Sequence, residues 1–369
     1  MIRQSNPLPA VCGFICHHPC EKACLNNFLH KPVSLRLLKR FLAEEDLQRE
    51  SSLTPYPKTK KARVLIVGSG PAGLTAAHDL AWLGYPVTLY ESLPVLGGML
   101  SVGIPGFRLP RDLLQKEIGQ IKERGVEMLT RRTFRSQDIP KDLKRLGFQA
   151  AFLAMGAHKS RRLSIPGERL PGVLAGVELL RKFNLGRKVS LGEKVVVLGG
   201  GNVALDVARA ARRLGTKEVR IVYRRSMAEM PAIPEEVQTA QREGIEFLFL
   251  SVPVRITQSK NNRLKLDCLK TRLGEADERG RRKPIPIEGS GFSLYADSIV
   301  RAVGQEVDRK TIHGLELHAD GTIKTDPRTG QTSLKGIFAG GDAVTGPAWA
   351  IEAIAAGKKG ALAIDEYLS

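Results

Sequence analysis

The stretch Val64-Leu-Ile-Val-Gly68-Ser-Gly70-Pro-Ala-Gly73, continued by Leu74-Thr-Ala-Ala77, decides the fold. Four apolar residues end on a glycine, and helix formers follow Gly70, so the stretch reads as strand, tight turn and helix. Glycine is needed at 68 for the turn, at 70 so that a ligand can approach the backbone, and at 73 so that the helix can pack on its strand. Outward from this point, strand-like runs at Arg63–Val67, Pro86–Tyr90 and Ala150–Ala154 alternate with helices from Pro71 and over Asp112–Arg124. Such alternation predicts a parallel, doubly wound α/β sheet. The series restarts at Lys194–Leu198, passes through a helix from Asn202 to Leu214 and reaches Glu218–Tyr223, so a second domain of the same kind is expected. Residues 245–273 read as extended segments, and strands near Asp297–Ala302 and Gly336–Ala339 precede a last helix ending at Tyr367.

The glycine turn carries the Rossmann dinucleotide fingerprint, with a pyrophosphate expected on the helix N-terminus and Glu91, ending the next strand, placed to bind a ribose hydroxyl. A second copy follows at Val195-Val-Val-Leu-Gly199-Gly-Gly201-Asn-Val-Ala204. Its next strand ends in Tyr223-Arg224-Arg225-Ser226, two guanidiniums where the first copy has a carboxylate. Guanidiniums suit a ribose phosphate and a carboxylate repels one, so the second site reads as NADP(H) and the first as FAD. For Arg224 and Arg225 the alternative is a merely solvated strand end. The candidate FAD residues are Gly68, Ser69, Gly70, Pro71, Ala72 and Glu91, with Gly98 and Leu100 from the run Leu96-Gly-Gly-Met-Leu100. Gly341 and Asp342, in Gly336-Ile-Phe-Ala-Gly-Gly341-Asp342-Ala343 before the last helix, are added because an aspartate there can hold a polyol and a helix N-terminus can stabilise a reduced flavin. Asp342 as an ordinary helix cap is the competing reading. The candidate NADPH residues are Gly199, Gly200, Gly201, Asn202, Val203, Arg224 and Arg225. Hydride exchange between nicotinamide and flavin needs no protein acid or base, so no catalytic side chain is nominated.

Upstream lies Cys12-Gly-Phe-Ile-Cys16-His-His-Pro-Cys20-Glu-Lys-Ala-Cys24, four cysteines at four-residue steps. Thiolates select zinc or iron–sulfur clusters. On one unbroken helix Cys12 and Cys24 would stand about 18 Å apart, too far to share a cluster. Either the chain breaks at Gly13 or Pro19 and wraps one cluster, or two clusters are served. Zinc competes on spacing alone. A flavin beside the segment favours a 4Fe–4S cluster, which can take electrons one at a time. His17 and His18 read as surface residues and Cys268 as a packing residue.

Composition narrows the class. Of five cysteines in 369 residues four are clustered, which fits metal ligands in a reducing compartment and not a spread disulfide scaffold. The chain has no run of apolar residues long enough to span a bilayer and no signal-peptide pattern, so a cytoplasmic protein is expected. A net charge of +19 first suggests nucleic acid, but aromatics are only 5% and no binding motif is present. The clusters Arg131–Arg132–Arg135, Arg209–Arg212–Arg213 and Arg279–Arg281–Arg282–Lys283 read as solvated surface or as docking sites for an acidic electron carrier or partner subunit.

The motifs together resemble the glutamate synthase small-subunit family, whose relatives include the large subunit of ferredoxin:NADP oxidoreductases and the flavin region of dihydropyrimidine dehydrogenase. The likeness rests on Asn6-Pro-Leu-Pro-Ala-Val-Cys12 with its cysteine ladder, Gly98…Gly103-Ile-Pro105…Phe107-Arg-Leu-Pro110, Val222-Tyr-Arg-Arg-Ser226 with Glu229-Met-Pro231, and Ala339-Gly-Gly-Asp342. It implies a helical iron–sulfur segment at 1–50, a linker at 51–61, an FAD domain in two pieces at 62–160 and 295–369, and an inserted NADP(H) domain at 161–294. It adds Arg108 and Gly156 to the FAD residues and makes Cys12, Cys16, Cys20 and Cys24 cluster ligands. The implied activity is hydride exchange between NADPH and FAD, with single electrons passed through a 4Fe–4S cluster to partner subunits.

Three departures qualify the likeness. The chain starts five residues before Asn6, where the family usually carries more cysteines, so it reads as N-terminally shortened, with one cluster absent or completed by a partner. Lys39 and Arg40 stand near a position where some members use Glu or Gln as a ligand, which favours a single all-cysteine cluster. Met155 replaces a common threonine in Ala154-Met-Gly156. The competing functions are a disulfide reductase of the thioredoxin reductase type, which needs a redox Cys pair that Cys268 lacks, and a non-catalytic cofactor-bearing scaffold.

Overall fold

Four-residue strands that are buried along their whole length form the centre of the first of two compact units in the computed structural model. The structure describes residues 2–49, 53–134, 138–259, 263–276, 280–309 and 314–369. Arg135 and Arg279 of the basic clusters, and the start of the linker, lie outside them.

The first unit comprises Met1–Ser101, Gly106–His158 and Glu306–Ser369. Its five-stranded parallel sheet runs in the order Ile337–Ala339, Ala150–Leu153, Val64–Val67, Val87–Tyr90, Glu127–Leu129. The central strands are continuous apolar runs because helices cover both faces of a parallel sheet. The C-terminal helix Ala350–Leu368 lies against the helix Pro71–Trp82 through glycine. A Cβ on Gly357 would stand 2.3 Å from the Ala72 carbonyl, and one on Gly360 would stand 2.2 Å from the Phe152 ring.

In the same unit the helix Pro9–Ile15 packs on Leu35–Gln48 and on Arg111–Glu123. Gly13, expected as a possible break, sits inside its helix and lets the two backbones close, since a Cβ there would stand 2.7 Å from Arg40 Cα. The break falls at Cys16–His18, just before Pro19, where His18 adopts φ 44° and a four-residue helix Pro19–Lys22 begins. The described part of the linker has no regular structure but is strapped down. Tyr56 N donates to Arg124 O, Lys60 N donates to Gly84 O (both 3.0 Å), and the Arg124 guanidinium covers the Tyr56 ring at 4.8 Å.

The second unit comprises Val102–Pro105 and Lys159–Gln305. Its five-stranded parallel sheet has the order Val173–Ala175, Ser298–Arg301, Lys194–Leu198, Glu218–Val222, Glu246–Leu248. The extended stretch forms an antiparallel sheet in which Leu264–Ala276 pairs with Ser251–Gln258, Arg282–Pro286 and Phe292–Ala296. One boundary differs from expectation. The strand Ser298–Arg301, assigned from sequence to the returning FAD domain, pairs Val300 with Val197 and with Leu174 in the second sheet. A short apolar strand suits either sheet, and only its hydrogen-bonded neighbours decide which one it joins. Among the described residues no helix is long and apolar enough to cross a membrane.

Candidate functional site

The first glycine turn shows three different reasons for glycine. Gly68 has φ +101°, and a Cβ on it would stand 2.4 Å from Ala154 O. A Cβ on Gly73 would stand 1.9 Å from Gly68 O, so it closes helix on turn, whereas Gly70 has nothing within 4 Å. Gly70 is also the N-cap of the helix Pro71–Trp82, with no side-chain cap, and Pro71 opens the helix. The leading amides therefore have no side-chain cap, the condition under which a helix N-terminus can take an anion.

Glu91 and Ser69, both buried, bind each other beside this turn. Glu91 Oε2 accepts from Ser69 N at 3.0 Å and Ser69 Oγ at 2.6 Å, and its Oε1 accepts from Leu93 N at 2.8 Å. Ser69 Oγ in turn accepts from Gly97 N at 3.0 Å. The next turn then sits on the first, since a Cβ on Gly98 would stand 2.9 Å from Gly70 Cα. From the far end of the sequence Gly341, at φ +66°, comes within contact of Ala72. These contacts gather Gly68, Ser69, Gly70, Pro71, Ala72, Glu91, Gly98 and Gly341. Leu100, Arg108 and Gly156 stand at flanking turns. Leu100 and Arg108 are buried, the Leu100 carbonyl accepts from Arg111 Nη1 at 2.7 Å, and Gly156 takes φ +68°.

Asp342 is not the helix cap that was its competing reading. It is the first residue of a separate four-residue helix, Asp342–Thr345, and not the cap of the last helix, which starts at Ala350. Its Oδ1 accepts from Ala348 N at 3.2 Å, and burial pushes its carboxyl up to about 6.

The second turn repeats the first in backbone and differs in detail. Gly199 has φ +141° with a Cβ position 2.3 Å from Ala302 O, and Gly201 is an uncapped N-cap with open space about it. The middle residue must be glycine here, because a Cβ on Gly200 would stand 2.5 Å from the Tyr223 ring. Asn202, the first residue of the helix, accepts on its Oδ1 from Ile233 N at 3.1 Å. Val203 packs its side chain on the core, so only its backbone faces the turn. The two arginines are also unequal. Arg225 is buried and donates from Nε to Arg282 O at 2.7 Å. Arg224 reaches the surface, but crowding by protein around its guanidinium, then the charges of Arg225 and Arg281, hold its pKa below the ordinary arginine value.

In the cysteine segment Cys12 and Cys16 are buried, Cys24 is half-buried and Cys20 is exposed, all as free thiols. His18 N donates to Cys16 Sγ at 3.4 Å. Among the described residues no three His, Cys, Asp or Glu side chains are already gathered as for a single ion. Four thiols set on both sides of the reversal at His18 are the right donors for a wider iron–sulfur cluster. His17 is not a simple surface residue, since its ring stacks on Trp349 with centroids 4.2 Å apart.

Sequence reasoning missed Glu117. This fully buried carboxylate accepts from Ala10 N (2.8 Å), Val11 N (2.9 Å) and Arg3 Nη1 (3.3 Å), anchoring the helix that carries Cys12. Burial still pushes it up to about 7. The signal was one acidic residue on the apolar stripe Leu113, Leu114, Ile118, Ile121. The cluster Arg209–Arg212–Arg213 proves partly internal. Arg209 is buried against Glu236 (2.6 Å) and Glu243 (3.0 Å), and Arg213 also pairs with Glu243.

Two glycine turns of this kind, one whose next strand ends in a carboxylate and one whose next strand ends in two guanidiniums, fit a two-nucleotide oxidoreductase. The chain belongs to the pyridine nucleotide-disulphide oxidoreductase family, whose profile matches residues 62–357, and residues 1–51 match the 4Fe-4S cluster domain II of dihydropyrimidine dehydrogenase. It is an oxidoreductase, and its cofactors are FAD, NADP(H) and a 4Fe–4S cluster. It is 43% identical, over its whole length, to the NADP(+)-dependent formate dehydrogenase subunit beta of Moorella thermoacetica, but covers only 56% of that protein. It is 34% identical to a putative glutamate synthase [NADPH] small chain of Cereibacter sphaeroides, over 99% of this chain and 92% of that one. The resemblance to the glutamate synthase small subunit therefore holds nearly end to end. In fold it is similar to FprA of Mycobacterium tuberculosis, solved in complex with NADPH, with a TM-score of 0.72 at 21% identity over 84% of this chain and 85% of that one.

Proposed function

We propose that this chain is the NADPH-reactive module of a larger redox assembly, exchanging hydride between NADPH and FAD and exchanging single electrons with partner subunits through the cysteine segment. The observation that carries the reading is the pair of matched glycine turns whose next strands end in opposite charge, Glu91 in one and Arg224–Arg225 in the other. The flavin supplies the conversion between two-electron and one-electron transfer. The protein residues bind and orient. Uncapped amides after Gly70 and Gly201 receive pyrophosphates, Glu91 receives a ribose hydroxyl, and Arg224 receives the 2′-phosphate. Cys12, Cys16, Cys20 and Cys24 would hold one cluster, and the break in the helix just before Pro19 supports this over a single unbroken helix.

The partner is a redox subunit of the kind present in the relatives named for formate dehydrogenase and glutamate synthase. Supporting this, Leu25, Phe28, Leu29 and Phe41 are exposed around the cysteines, an arrangement that gives such a subunit an apolar face. Four cysteines clustered as metal ligands, in place of a spread disulfide scaffold, support a reducing, cytoplasmic location. The disulfide reductase alternative loses ground because Cys268 is buried in the antiparallel sheet, where burial and Asp267 push its thiol up to about 12.

The test is the double variant Arg224→Ala, Arg225→Ala, assayed anaerobically for flavin bleaching by NADPH and NADH. The expected result is a preference for NADPH reduced at least about tenfold. An unchanged preference overturns the NADP assignment, and a wild-type flavin that NADPH cannot bleach overturns the redox role.

A further inference from the structure

His17 belongs to neither nucleotide turn, yet the fold presses its ring onto Trp349 from the far end of the sequence. The two rings stack with centroids 4.2 Å apart and planes inclined by 22°. Each partner is held by its own surroundings. His17 follows Cys16 directly, between the helices Pro9–Ile15 and Pro19–Lys22, and the chain is pinned there because the Cys16 carbonyl accepts from Arg36 Nη1 at 3.4 Å. Trp349 is the N-cap of the last helix, and its N–H donates to Glu352 Oε2 at 3.0 Å.

On one side the stack ends one peptide away from a candidate cluster thiol. On the other side it ends at the candidate flavin cradle. Ala348, the residue before Trp349, donates its N–H to Asp342 Oδ1 at 3.2 Å, and a Cβ on the neighbouring Gly341 would stand 3.0 Å from Ala72 Cβ in the first glycine turn. The helix that Trp349 caps lies on the same turn, through Gly357 against the Ala72 carbonyl. A second tie joins the same two parts of the chain, since Lys358 Nζ donates to Gln4 O at 3.3 Å. Exchange between two bound groups depends on how closely and how firmly they are held, and a stacked pair fixes two segments at one spacing.

We propose that the His17–Trp349 stack is the positioning contact that sets the cysteine segment against the flavin cradle for single-electron exchange. The inference rests on the electron relay proposed above. In that relay NADPH delivers two electrons and one proton to the flavin as hydride, the electrons leave singly for the cluster and then the partner subunit, and the proton is released to water. His17 and Trp349 themselves gain and lose no electron or proton. They hold the two sides together.

The test uses the full chain loaded with FAD and cluster. A laser flash injects one electron from a photoreduced deazaflavin, and absorbance follows its redistribution between flavin and cluster. His17→Ala is expected to slow redistribution about tenfold, with flavin content, iron content and both midpoint potentials unchanged and with NADPH bleaching the flavin at the wild-type rate. His17→Phe restores a stacking ring and should return the rate to within about twofold of wild type. Trp349→Leu should slow redistribution as His17→Ala does, which tests the pair from the other side. The inference fails if His17→Ala leaves the rate unchanged, if the slowing comes with lost iron or a shifted potential, or if His17→Phe does not restore the rate. If the wild type shows no redistribution, the relay reading fails first.

Discussion

The two glycine turns are nearly the same piece of backbone, yet the residue in the middle of each is chosen by what ends the next strand. In the first, Ser69 fits because its hydroxyl and amide are needed to hold Glu91. In the second, the Tyr223 ring presses on Gly200 and leaves no room for a side chain, while the following arginines turn outward or to the Arg282 carbonyl. On the proposed reading the backbone builds a pyrophosphate cradle twice, and the adjoining strand end decides which ribose it accepts.

The strongest way to break this comparison is at the strained glycines. Gly68→Val and Gly199→Val each force a Cβ to about 2.4 Å or less from a carbonyl oxygen at positive φ, and each should cost more than about 3 kcal/mol. The first should yield protein without flavin by absorbance. The second should spare flavin content but abolish NADPH-driven bleaching. If both variants lose flavin equally, the two cradles are not independent.

Next in size is Arg225 against Arg224. Arg225→Ala removes a buried donor to Arg282 O and should lower stability by about 2 kcal/mol in urea unfolding, whereas Arg224→Ala should change it by less than about 0.5 kcal/mol. Equal costs would show that the division of labour between them is wrong. Glu91→Gln removes charge from the acceptor of Ser69 and should cost about 1–2 kcal/mol with weakened flavin retention, measured by dialysis.

Gly70→Ala and Gly201→Ala should leave stability within about 0.5 kcal/mol, since open space surrounds both positions, while each weakens only its own nucleotide. The smallest effect is expected for Cys268→Ala, about 1 kcal/mol from lost packing with unchanged NADPH oxidation. A loss of activity there would revive thiol chemistry in the second unit.

Much of this was legible in the sequence because parallel strands buried on both faces must be continuous apolar runs, and a pyrophosphate turn must be glycine-rich. The strands at Val64, Val87, Ala150 and Lys194 and the two glycine turns follow from those two requirements. The boundary near 295 was not legible, since the strand Ser298–Arg301 has the composition of either sheet and is assigned only by its partners. The choice between a break at Gly13 and one at Pro19, and whether Asp342 caps the last helix, were not legible for a related reason, because the outcome depended on Arg40 in one case and Ala348 in the other, residues brought close by packing.

The sequence by itself determined the class of the protein: two nucleotide turns, their opposite preferences, and a thiol ladder. These depend on side-chain types and spacings within one strand–turn–helix, interactions that are local along the chain. Only the tertiary structure decided that Glu117 anchors the cysteine helix and that Arg225 is tied to the Arg282 carbonyl. Those roles join residues tens of positions apart, and a buried carboxylate or a cluster of like charges acquires its energy from neighbours that only the folded chain supplies.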